Sequence, residues 1–330
     1  LRNDLKGICE VFGAYSLDVH GVASDSRRNI EMTWGQPGFR MAADTRIAVS
    51  AENRIAAYAE VKDTQEPHVR AGSLLRVHPD FRGLGLEEEL LSWIETRARE
   101  AVAKAPTDSR VAVTHGVPDA DAHIQGLLRN HGYDVIRYFS RMVVDLTQDI
   151  PEPVWPDGVT VRTFVLEEDL VNTVRAARDA FQDHWGHVDI PFEQELNQWD
   201  YWIRNDEKFD PTLTFLAVAE GEIVGFSTCD PEHSEDPNMG CVDVFGVCRV
   251  WRRQGIALAL LHHTFREFKR RGQQRVELGV DAASLTGAHE LYEAAGMKST
   301  RQENIFEKEL RAGVDLSLHS LTPEEESAQA

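Results

Sequence analysis

From Val250 to Phe265 the sequence reads VWRRQGIALALLHHTF, with two arginines, a glutamine and a glycine directly ahead of an apolar stretch. Leu258, Leu261, Phe265 and Phe268 recur at helical spacing, which predicts a helix with one buried face. Arg252, Arg253, Gln254, Gly255, Ile256 and Ala257 then form the turn that leads from a strand into that helix. Free backbone N–H groups and the positive end of the helix dipole meet at such a turn, so it is built to cradle an anion. Gly255 lets the backbone approach a ligand with no side chain in the way. Small Ala257 continues that clearance, and the arginines supply local counter-charge for a phosphate. The stretch has neither the G-x-x-x-x-G-K-[ST] of a Walker A loop nor the three spaced glycines of a dinucleotide fingerprint, which disfavours ATP, GTP and NAD.

The elements that must position this turn occur twice. The segment GFRMAADTRIAVSAENRIAAYAEV resembles KFDPTLTFLAVAEGEIVGFSTC, and VHPDFRGLGL resembles VCRVWRRQGI. Phe39 answers to Phe209, Val77 to Val247, Gly85 to Gly255 and Gly132 to Gly296, at a nearly constant interval, which implies one fold used twice. The expected domains are residues 1–146 and 159–312, joined by a proline-bearing linker at 147–158 and followed by an acidic, solvated tail at 313–330. In the second copy the patterns predict strands at 159–164, 215–219, 223–228, 241–248, 275–280 and 305–310. They predict helices at 170–181, 192–204, 255–271 and 286–295. The strand at 159–164 has no counterpart in the first copy. The expected class is α/β, with a mixed, mostly antiparallel sheet flanked by helices in each copy.

The chain of 330 residues is 42% hydrophobic and 27% charged, which suits two globular domains. A formal charge of −20 argues against nucleic-acid or anionic-membrane binding and favours a cationic small molecule as guest. Cys9, Cys229, Cys241 and Cys248 form no C-x-x-C pair, so neither a zinc site nor any other metal is expected. No apolar run is long enough to span a bilayer and no signal sequence is visible, so a cytoplasmic protein, monomer or homodimer, is expected.

The pattern VCRVWRRQGIALALL, followed by LGVDAASLTGAHELYEAAGM, resembles the GNAT superfamily of acyl-CoA-dependent N-acyltransferases. Its R/Q-x-x-G-x-G/A motif reads Arg252 to Ala257, and its L-Y-x-x-x-G element reads Leu291 to Gly296. The tandem plan resembles actinobacterial double-GNAT proteins of the mycothiol synthase type. The resemblance implies acetyl-CoA as donor, with its pyrophosphate on the turn Arg252–Ala257. It also implies a pantetheine arm paired with the backbone around Val247, Cys248 and Arg249, and Tyr292 as the acid that protonates the departing thiolate. A phenol with an ordinary pKa near ~10 is protonated at neutral pH and can donate in this way. Family members commonly carry a glutamate where Cys241 stands. Asp243, two residues on and expected on the same strand face, is the candidate base acting through a water. The family shapes its acceptor pocket where Asp183–Glu195 lies here, and His184 and Trp185 are the expected acceptor contacts.

In the first copy Glu87 stands at the place of Ala257 and Leu128 at the place of Tyr292. A carboxylate there would repel a pyrophosphate, and leucine cannot protonate a thiolate, so the first copy is expected to be catalytically silent. The expected activity is acetyl transfer to a primary amine of a small molecule by direct attack. Alternatives are mycothiol synthase-type acetylation of a cysteinyl amino-sugar and a non-catalytic CoA-binding sensor.

Overall fold

The computed structural model describes residues 4–284 and 286–319, and the chain divides into two units. Unit 1 comprises the residues up to Tyr138 together with Glu303–Leu316; unit 2 comprises Phe139–Gln302 together with the residues from Ser317. The division thus falls neither within residues 147–158 nor at a single point.

Unit 1 runs through helices α1 (Leu5–His20), α2 (Arg27–Gly35) and α3 (Met41–Asp44), then strands β1 (Thr45–Val49), β2 (Ile55–Lys62) and β3 (Arg70–Val77). Helix α4 (Leu86–Ala98), β4 (Val111–Pro118) and α5 (Ala122–Asn130) follow, and β5 (Asp134–Asp145) leaves the unit at Tyr138. Antiparallel pairs join β1 to β2 and β2 to β3, while β3 runs parallel to β4. Leu91, Ile94, Leu128 and Tyr133 fill its main core against the inward residues of β2–β4.

Unit 2 contains β6 (Val159–Thr163), α6 (Leu166–Phe181), α7 (Phe192–Asn205), β7 (Phe215–Ala219), β8 (Glu222–Asp230) and β9 (Met239–Val247). After these come α8 (Ile256–Arg270), β10 (Arg275–Asp281), α9 (Ala288–Ala294) and β11 (Lys298–Arg311). Strands β6 to β9 are successively antiparallel, and β9 is parallel to β10. The helix expected over 255–271 is α8, whose Leu260, Leu261, Phe265 and Phe268 are buried. Gly240 on β9 admits it closely, because a Cβ there would lie 2.5 Å from Phe268 Cδ1.

The final strands are exchanged. Residues 303–311 of β11, expected as the last strand of the second copy, belong to unit 1 and pair antiparallel with β4, with Phe306 in its core. Residues 139–145 of β5 belong to unit 2 and pair antiparallel with β10, with Met142 and Val144 in its core. The two copies end in strands of the same kind at the same place in the fold, and each completes the other's ladder. The expected solvated tail is partly docked as well. Val314 exchanges backbone hydrogen bonds with Asp108 and Arg110, and Leu318 with Gly186 and His187; residues 320–330 lie outside the described residues.

Two irregularities of β9 bear on what unit 2 can do. The β9–β10 pairing runs from Met239↔Arg275 to Val242↔Leu278 and stops, although β9 continues to Val247 and β10 to Asp281. Across the other edge of β9, Thr228 faces Val244 and Cys229 faces Val242, so Asp243 is the extra residue of a β-bulge. Unit 1 repeats the first feature, its β3–β4 pairing stopping at Ser73↔His115, but its β2–β3 register runs without a shift.

Candidate active site

Where β9 and β10 part, a cavity of about 190 Å³ opens in unit 2, and His184, Trp185, Asp243, Phe245, Asp281 and Tyr292 are among its lining. That volume suits the reacting ends of two substrates rather than a whole large ligand. The four side chains picked from the sequence as acid, base and acceptor contacts therefore share one space. Strand β9 leads from it directly to the turn at Arg252–Ala257.

Tyr292 lies on α9, with its ring 6.1 Å from that of Phe245. Its hydroxyl makes no hydrogen bond to another described residue, and burial raises its pKa, so the phenol holds its proton at neutral pH. Asp243 is exposed to the cavity by the bulge. The bulge also corrects the expectation that Asp243 shares a face with Cys241, because an inserted residue breaks strict alternation. Burial, and then the Asp243 carboxylate, push the Cys241 thiol up, so it is a neutral thiol and no base. On the loop after α6, burial lowers the pKa of His184 although the Asp183 carboxylate opposes it, and the imidazole is neutral near pH 7. Its ring meets Phe181 edge-on at 4.5 Å.

The turn is held by backbone conformation. Gly255 caps α8 at φ +88°, and Arg253 adopts φ +60°, a region most side chains avoid at a cost of about 1–3 kcal/mol. Unit 1 repeats the turn with glycine at both places, Gly83 and Gly85. Around Gly255 a Cβ would meet nothing within 4 Å, so the N-terminus of α8 opens freely to a ligand. Arg253, Gln254 and Gly255 are exposed, whereas Ile256 is buried in the core beside half-buried Ala257.

The structure gives Arg252 a different task from the expected phosphate contact. Its guanidinium grips both carboxylate oxygens of Asp183, one at 3.0 Å, donates to the Ala180 carbonyl at 2.9 Å, and through Nε reaches the Val247 carbonyl at 3.3 Å. Burial works against the Asp183 carboxylate, yet this guanidinium more than offsets it and holds the pKa below the usual range. Arg252 thus ties the turn to the loop that carries His184 and Trp185. Arg249 is similarly engaged, its amide and guanidinium both donating to Asp179. Cys248 donates its amide to Val224, and burial pushes its thiol up to about 11. The amides of Cys248 and Arg249, expected for a pantetheine arm, are therefore occupied, and the edge of β9 that faces no neighbour on the β10 side is Asp243–Val247.

Asp281 and Phe139 are among the cavity residues that escaped the sequence reading. Asp281 ends β10, and an acidic residue at a strand end was its only signal. Phe139 comes from the exchanged part of β5, and no local pattern announces an exchange.

In unit 1, Tyr15 on α1 donates to Asp121, the N-cap of α5, at 2.7 Å. The link joins the unit's counterparts of α6 and α9, which flank the cavity in unit 2. Glu87 does not face solvent as a bare repelling charge; it is 2% exposed, with His123 Nε2 at 3.4 Å from its carboxylate. Leu128 is buried in the core.

The sequence profile of the acetyltransferase (GNAT) family matches residues 15–115 and 174–297. A protein of Streptomyces griseus named mycothiol acetyltransferase is 33% identical over 267 residues, 79% of each chain. Another of that name, from Acidothermus cellulolyticus, is 30% identical over 78% of this chain and 77% of its own. Among solved structures, a GCN5-related N-acetyltransferase from Sphaerobacter thermophilus superposes with a TM-score of 0.77 at 33% identity, covering 96% of both chains. A tandem GNAT protein from the clavulanic acid biosynthesis pathway shares the fold, with a TM-score of 0.69 at 14% identity over 94% of this chain and 96% of its own.

Proposed function

This chain belongs to the acetyltransferase (GNAT) family and is an N-acetyltransferase, and we propose that its unit 2 alone transfers acetyl from acetyl-CoA to a primary amine of a small molecule. The observation that carries this reading is the meeting of Asp243 and Tyr292 in one cavity at the parting of β9 and β10.

The exposed backbone of the turn at Arg253–Gly255 and the N-terminus of α8 hold the pyrophosphate, and the free edge of β9 guides the pantetheine arm toward the cavity. Val244 donates its amide to Thr228 Oγ1 on the β8 side at 3.1 Å, so the next amide, that of Phe245, turns to the open side. It is placed to polarise the thioester carbonyl. The amine attacks the carbonyl carbon, Asp243 takes the ammonium proton through a water, the C–S bond breaks, and Tyr292 gives its proton to the leaving thiolate. Asp243 and Asp281 make the cavity anionic, which fits a cationic acceptor, and His184 and Trp185 contact it. In unit 1 the Tyr15–Asp121 link, the straight β3 and Leu128 together support a silent copy.

Incubating the protein with acetyl-CoA and a panel of amines, with CoA release as readout, tests the reading. Turnover with polyamines, aminoglycosides or amino-sugar conjugates is expected; preference for anionic amines would overturn the acceptor class. A second reading, acetylation of a cysteinyl amino-sugar, is favoured by the names of the relatives and opposed by the neutral Cys241 at the place of the family's base. A cysteinyl amino-sugar in the same panel decides between them, since selective turnover of that compound is what the second reading requires.

A further inference from the structure

The loop that carries His184 and Trp185 has no helix or strand of its own between α6 and α7. Two ties hold it. One is the Arg252–Asp183 pair at its start. The other comes from the far end of the chain, where the Gly186 amide donates to the Leu318 carbonyl at 2.6 Å and the Leu318 amide donates to the His187 carbonyl at 2.9 Å. Leu318 thus pairs, from more than 130 residues away in sequence, with the backbone on both sides of the Gly186–His187 peptide. Beside this bridge the His319 ring lies 5.7 Å from the Trp185 ring at 72°, an edge-to-face arrangement. Trp185 itself lines the cavity with Asp243 and Asp281.

We propose that residues 317–319 are an acceptor-specificity element of the enzyme: they pre-order the loop and fix Trp185 as a wall against which the body of an alkylammonium acceptor rests. The proposal depends on the acetyl-transfer reading of this cavity for its substrate. Its physical content is preorganisation. A loop already ordered before the acceptor arrives spares that acceptor the ordering cost, which otherwise appears as weaker binding. The bridge pairs with Gly186 and His187, whereas the donor turn meets the loop at Asp183 through Arg252, so the element acts on the acceptor and leaves acetyl-CoA affinity alone. Leu318 and His319 are positioning residues, since neither lines the cavity.

Two full-length variants test this. Leu318→Pro removes the amide that donates to His187. His319→Ala keeps the backbone bridge and removes only the ring, which guards against misfolding of the first. Hydrogen–deuterium exchange of residues 182–191 and steady-state kinetics are measured on both. Leu318→Pro is expected to speed exchange at the Gly186 amide by about tenfold or more and to raise the acceptor KM by a similar factor. His319→Ala should raise that KM about threefold, with kcat within about twofold and the acetyl-CoA Kd unchanged in both. Unchanged exchange in Leu318→Pro overturns the proposal, and so does faster exchange with an unchanged acceptor KM. Failure of the parent protein to turn over any amine would sink the acetyl-transfer reading and the substrate role proposed for the element with it. The exchange data then still report whether the bridge orders the loop.

Discussion

Tyr292 can act as an acid only if it reaches the moment of bond breaking still protonated, and its burial, which raises the pKa, secures that. Replacing it with phenylalanine keeps the packing against Phe245 and removes only the proton. The expected result is a loss of about 10²- to 10⁴-fold in kcat with an unchanged acetyl-CoA Kd by calorimetry; equal kcat values would mean that the thiolate leaves without this acid. Arg252 offers the opposite contrast. A phosphate ligand and a loop tie predict different losses, and its donors are spent on Asp183, Ala180 and Val247. Arg252→Lys is therefore expected to leave the acetyl-CoA Kd within about twofold while raising the acceptor KM, because lysine keeps the charge but loses the bidentate fork. A tenfold weaker acetyl-CoA Kd would restore the phosphate role. The same pair governs acid stability. The folded-state pKa of Asp183 is depressed, so its contribution is present above the ordinary carboxylate pKa and fades as pH falls through the folded value. Asp183→Asn should flatten the fall in melting temperature on acidification below about pH 4. The residue types of this site were legible in the sequence. Whether Arg252 looked outward to a ligand or inward to Asp183 was not, because a motif gives positions and the partner lies on another helix.

Elements decide where those residues point, and two departures from regularity matter most. A run such as Met239–Val247 reads as a strand from its pattern, yet the bulge at Asp243 depends on which residues of β8 stand opposite, information no single strand contains. The turn was more legible, since Gly255 marks its left-handed position. Arg253 shares that conformation without glycine's freedom, whereas the corresponding turn of unit 1 uses Gly83. In the proposed reading the strained arginine lends its charge to the pyrophosphate of acetyl-CoA, and glycine stands at the same place in the silent copy. Arg253→Gly in unit 2 should relieve strain, giving a melting temperature equal to or above the parent's, while weakening acetyl-CoA binding by about three- to tenfold through loss of one cationic contact. A lower melting temperature with unchanged acetyl-CoA affinity would place the worth of Arg253 in packing.

At the scale of the whole molecule, the repeat revealed two copies of one fold but concealed how the chain is shared between them. Pairing is set by an edge's open hydrogen bonds and its apolar face, and the alternation of β5 and β11 does not reveal which edge each meets, so periodicity cannot say which half each completes. Unit 1 takes Glu303–Leu316, and unit 2 takes residues from Phe139 onward that precede the repeat's apparent boundary. A fragment of residues 1–146 therefore leaves the outer edge of β4 open and loses Phe306 from its core. Residues 159–330 alone lose Met142 and Val144. Burying side chains of this size is worth about 1.5–3 kcal/mol each, a large share of the ~5–15 kcal/mol that holds a domain together. Each fragment expressed alone should show a broad, low or absent thermal transition and collect in the insoluble fraction. Co-expressed fragments 1–158 and 159–330 should associate and recover acetyl-CoA-dependent CoA release, because every ladder is then available. Cooperative unfolding of the isolated 1–146 fragment near the parent's melting temperature would mean that the exchanged strands are dispensable to the units they complete.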